Sequence, residues 1–116
     1  MRKGRWKSGA IDVFFLGCSS SHALMTMDAK TGAILYSIPQ ISGADEVTYD
    51  PVTQTFLALG TTPGGAAILA EISPSTGRVL ATAPLPANAF THSIAAGGAR
   101  VYVPVAGDGM VVYTIG

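Results

Sequence analysis

The chain has 116 residues, 48% of them hydrophobic and only 12% charged, with 14 Gly and 7 Pro. That length holds one small domain with a core of its own, and the composition is that of short buried strands joined by glycine and proline turns. The formal net charge is zero, but Arg2, Lys3, Arg5 and Lys7 supply four of the seven basic residues; from Ile11 onward the balance is 3 − 7 = −4, which argues against a nucleic-acid or anionic-membrane surface there.

In chain order, Met1 to Ala10 is a basic segment with the single tryptophan, Trp6, and is expected to lie outside the fold. It leads into Ile11-Asp12-Val13-Phe14-Phe15-Leu16-Gly17-Cys18, which has the outline of a secretory leader. The apolar run is short, Asp12 interrupts it, and it aligns with later strands, so it is read as a strand. No stretch approaches the ~18–20 apolar residues of a membrane helix. Cys18 is the only cysteine, so no internal disulfide can form, and no Cys–His cluster suggests zinc or any other cofactor.

From Asp12 on, apolar runs bounded by Gly, Pro, Asp and Ser keep no helical period, and ten strands are predicted: Asp12 to Gly17, Ala23 to Asp28, Ala33 to Ile38, Glu46 to Tyr49, Thr55 to Leu59, Ala67 to Ile72, Arg78 to Ala83, His92 to Ala95, Arg100 to Val105 and Met110 to Ile115. Every connection is short enough for antiparallel neighbours, which makes the expected fold an all-β meander. Leu24-Met25-Thr26-Met27-Asp28-Ala29-Lys30-Thr31-Gly32 aligns with Leu69-Ala70-Glu71-Ile72-Ser73-Pro74-Ser75-Thr76-Gly77, and 76 − 31 sets a period of 45. Periods of ~40–45 residues built from short strands mark β-propeller blades, and a propeller closes with ~4–8 blades of four strands. The chain is therefore expected to hold about two and a half blades of an incomplete ring, at residues 11–39, 45–84 and 91–116. On this phasing the first blade lacks its inner strand and the last its outer strand. The remaining blades of a propeller, or further copies of the chain, are the expected partners.

The segment Ala67 to Ala83, continued through His92-Ser93-Ile94-Ala95 to Arg100-Val101-Tyr102-Val103-Pro104-Val105, resembles the bacterial YVTN-type β-propeller repeat, whose pattern runs strand, D-x-x-T-G, apolar strand, turn, x-x-I/V-A, V-Y-V. The first copy carries Asp28 in the D-x-x-T-G element, the second has Ser73 there, and neither contains Tyr-Val-Thr-Asn itself. The resemblance implies an envelope or secreted protein, used for binding or as a scaffold, with lactonase-like or metal-dependent hydrolases a minority of such propellers.

Candidate site residues are few. Asp45 and His92 begin the two presumed inner strands, so both are expected at the mouth of a central channel, where they could bind a ligand or instead satisfy backbone groups and water. Glu46 and Asp50 are read as solvated turn residues, His22 as a loop residue, and Ser93 as no nucleophile, since strand neighbours point to opposite faces. Phe14, Leu16, Phe56, Val101 and Val103 are expected to fill the layers between blades. Three functions stay open: a non-catalytic propeller segment for protein or ligand interaction, which the residues favour; the C-terminal portion of a propeller hydrolase using Asp45 and His92; or a truncated product without independent function.

Overall fold

The computed structural model describes residues 2–8, 11–17, 24–86, 94–107 and 109–114. Among them the chain forms only strands: β1 (Arg2–Ser8), β2 (Ile11–Gly17), β3 (Leu24–Asp28), β4 (Ile34–Ser37), β5 (Ser42–Asp50), β6 (Thr55–Thr61), β7 (Ala67–Ile72), β8 (Val79–Pro84), β9 (Ala95–Gly97), β10 (Arg100–Val105) and β11 (Gly109–Thr114). They make three antiparallel meanders, β1-β2-β3-β4, β5-β6-β7-β8 and β9-β10-β11, here called the first, middle and third sheets. The all-β expectation holds; among the described residues the third sheet has three strands, the first of them Ala95–Gly97 where His92 to Ala95 was expected.

Two expectations about the first sheet need correcting. The basic N-terminal segment is part of the first sheet: β1 pairs with β2 from Arg2↔Gly17 to Ser8↔Ile11. The segment lacks apolar alternation, but β2 presents an open edge whose backbone groups need partners. Secondly, Phe14 and Leu16 are only half-buried, while Val13 and Phe15 are buried to 1% and 0% exposure. In a strand the face alternates at every residue, so a register error of one exchanges the two sets.

The repeat is a turn as well as a pair of strands. After β3, Asp28 Oδ1 accepts from the Lys30 and Thr31 amides at 2.8 and 3.1 Å, and Gly32 N–H donates to the Asp28 carbonyl at 2.8 Å. After β7, Ser73 Oγ accepts from Thr76 N–H at 3.4 Å, and Gly77 N–H donates to the Ser73 carbonyl at 2.9 Å. Serine replaces aspartate here because the loop needs only a short side-chain acceptor. The β5–β6 connection uses the same plan: Asp50 Oδ1 accepts from Val52 N–H and the Asp50 carbonyl from Gln54 N–H, both at 2.8 Å. Gln54, at φ 54°, stands where the other two loops have Gly32 at 76° and Gly77 at 69°.

The middle sheet is covered on both faces. Phe56 and Ala58 of β6, with Ala70 and Ile72 of β7, pack against Val13, Phe15 and Leu24 of the first sheet. Leu57, Leu59 and Leu69 point the other way, onto Val101 and Val103 of the third. Buried on two sides, β6 reads as an unbroken apolar run rather than an alternating one. Phe15 and Phe56 stack with centroids 4.6 Å apart and planes 8° from parallel, and Tyr49 meets Phe56 edge-on at 5.8 Å. The sheets also approach one another along their first strands, β1 lying by β5 and β5 by β9.

An irregularity in β5 is seated against β6 within the middle sheet. Ser42 pairs with Thr61 and Glu46 with Leu59, leaving Gly43, Ala44 and Asp45 opposite the single residue Gly60. A side chain at Gly60 would bring its Cβ within 2.8 Å of both Ile41 Cγ2 and the Ser42 carbonyl oxygen. The bulged backbone thus occupies the space that glycine leaves.

Burial, and secondarily the neighbouring Asp50 charge, hold the Tyr49 phenol above its usual pKa of 10.0. Above that pH the unfolded chain ionises first, so stability fully present below it is lost as pH rises through the folded value. Tyr49→Phe is expected to flatten the alkaline fall in denaturant midpoint between about pH 9 and 12. An unchanged slope would show that Tyr49 does not set it.

Candidate functional site

Where the middle and third sheets meet at their outer side, they leave a cleft of about 220 Å³. Its floor is built by alternation: Leu69 and Glu71 project from one face of β7, and their partners Ala83 and Ala81 stand beside them on β8. The opposite wall is β11, through Tyr113 and Thr114. Tyr113 spans the gap, its hydroxyl donating to the Pro84 carbonyl at 3.2 Å, which sets the width of the cleft at that end. The small side chains of Ala81 and Ala83 keep it open.

Among the described residues Glu71 brings the only carboxylate to the lining, and its Oε2 accepts from Thr55 Oγ1 at 3.0 Å. That bond aims the carboxylate across the sheet and leaves it further acceptor capacity. With Thr82 and Thr114 also on the lining, the cleft offers an apolar floor, hydroxyls and one negative charge. This equips it to hold a donor or a cation on an apolar stem. No motif in the sequence marks Glu71 or Tyr113; the signal for them is the small, alternating Ala81-Thr82-Ala83 opposite a strand carrying one acid.

Asp50 joins the same two sheets at their other side. It is fully buried, not a solvated turn residue, and while Oδ1 caps its own turn, Oδ2 accepts from Ala99 N–H at 3.2 Å. Ala99 and Gly98 are the two central residues of the β9–β10 hairpin, with φ 64° and 61°, the two-residue turn that matches strand twist. A carboxylate from β5 therefore holds the backbone of the third sheet's tightest turn. Glu46 is half-buried within β5 rather than in a turn.

Of the pair expected at a channel mouth, Asp45 lies on β5 within the irregular stretch opposite Gly60. His92 lies outside the described residues, as do His22, Ser93 and Cys18. Among the described residues no group of three or more His, Cys, Asp or Glu is placed to hold a metal. Compared with known proteins, the chain matches no family model and no curated protein.

Proposed function

We propose that the chain is a β-propeller segment serving as a non-catalytic binding module, partnered by further sheets of the same kind. The observation that carries this reading is the stacking: consecutive meanders packed face on face in chain order, their first strands adjacent and the middle sheet covered on both sides. Four strands in each of the first two sheets and the shared D/S-x-x-T turn agree with the propeller repeat.

Among the described side chains, apolar residues stand on both outer faces of the stack. By alternation from Phe15 and Leu24, Leu16 and Met25 pair on the face of the first sheet turned away from the middle one. By alternation from Val101 and Val103, the outer face of the third sheet carries Tyr102, Met110 and Val112, the last two 57% and 50% exposed. Apolar faces of this kind mark interaction surfaces, and a head-to-tail contact between them would continue the packing already present twice within the chain.

The test is light scattering with small-angle X-ray scattering on the purified chain. Particles of two or more copies are expected, and Met110→Lys with Val112→Lys should shift them toward single chains. A monodisperse monomer with a cooperative thermal transition would overturn the assembly. A stoichiometric divalent ion lost on His92→Ala would overturn the non-catalytic part.

A further inference from the structure

The first and middle sheets continue to a fourth strand, whereas among the described residues the third stops at β11. Among the described residues no strand pairs with the outer edge of β11, which there offers a template for one more strand. Alongside that edge lies the cleft, floored by Ala81 and Ala83 and carrying Glu71. At about 220 Å³ it is smaller than the ~300–1,000 Å³ of small-molecule sites, and it is open along a strand rather than enclosed. It has the shape for alternate side chains of a peptide whose backbone pairs with β11.

We infer that this edge and cleft bind an extended segment of a partner polypeptide by strand addition, antiparallel to β11, with a lysine or arginine directed at Glu71. The backbone ladder supplies affinity and the cleft supplies selection, as in other edge-strand complexes. Small or β-branched residues suit the remaining inward positions, because the alanines leave shallow room and Tyr113 closes one end. The carboxylate selects a basic residue because an approaching acid would meet like charge beside a floor of Leu57 and Leu69. The inference deepens the binding reading above, but the two fail separately. Assembly is read from particle mass, and strand capture from peptide binding.

The probe is a fluorescein-labelled peptide matched to the 6 residues of β11, alternating valine and threonine with one lysine, followed by anisotropy against the full chain. Saturable binding is expected, about tenfold weaker when the lysine is replaced by glutamate. Methylating alternate backbone nitrogens should abolish it on the edge-pairing register. Glu71→Lys should reverse the charge preference, and Glu71→Gln, which retains an acceptor for Thr55, should remove it while leaving the thermal transition close to that of the parent chain. Absence of binding, equal binding of both peptides, or a preference unchanged in both variants would overturn the proposal. So would insensitivity to methylation in both registers.

Discussion

Replacing Phe56 by alanine is expected to cost about 3–5 kcal/mol of folding stability, the range for truncating a buried aromatic. Phe56 is fully buried at the contact between the first and middle sheets, stacked on Phe15 at 4.6 Å and met by the edge of Tyr49 at 5.8 Å. The substitution removes the transfer energy of the ring, both aromatic contacts, and the packing of Ala70 and Ile72 in the same cluster. The backbone around Phe56 cannot collapse into the space, because β6 is held in a ladder on both sides. Urea unfolding of variant and parent measures the difference. Phe56→Leu, which refills most of the volume, should recover more than half of it. A loss under about 1 kcal/mol in the alanine variant would mean that the first sheet does not pack there.

Asp50→Ala is expected to be nearly as damaging, at about 2–4 kcal/mol, for a different reason. Its carboxylate accepts from Val52 N–H at 2.8 Å and from Ala99 N–H at 3.2 Å, and no part of the residue is exposed. Hydrogen bonds to charged groups contribute about 1.5–3 kcal/mol, and donors left buried without a partner carry their full desolvation cost. Asp50→Asn keeps an acceptor for one of the two amides and should fall between the parent and the alanine variant. The spatial signature is specific. Amide hydrogen exchange at Ala99, 49 residues away in the chain, should accelerate in both variants, while exchange in the first sheet should change little. Unaltered exchange at Ala99 would place the effect within the β5–β6 turn alone.

These two residues show how differently the chain announces its parts. Phe56 was legible: it sits in Thr55-Phe56-Leu57-Ala58-Leu59, a run apolar at both parities and therefore suited to burial on both faces. Asp50 was not. Followed by proline, it has every local mark of a turn residue, and it does cap its turn; the second acceptor oxygen acts on a backbone amide that no local pattern points to. Phe14 and Phe15 are a third kind of case. Val13-Phe14-Phe15-Leu16 is apolar throughout, so periodicity cannot say which pair faces the middle sheet, and only the packed partners select Val13 and Phe15.

The candidate cleft was less legible than the fold. It is made by the end of one sheet standing over the side of another, so its residues come from β6, β7, β8 and β11 and share no motif. Glu71 is the lone acid in an apolar strand, which marks it only as unusual. The D/S-x-x-T turn, by contrast, could have been found a third time at Asp50-Pro51-Val52-Thr53. Gln54 obscured it by standing where glycine supplies the positive φ in the other two copies.

Strands, turns and the meander order followed from local chemistry: apolar runs of strand length, short acceptors placed to close tight loops, and a 45-residue recurrence of both. These interactions join residues a few positions apart, so their pattern is written along the chain. Sheet against sheet, the reach of Asp50 to Ala99 and the cleft beside β11 were decided by tertiary structure. Each depends on which of two chemically similar faces or edges meets another. That choice rests on shape and on unpaired backbone groups brought together only when the sheets are stacked.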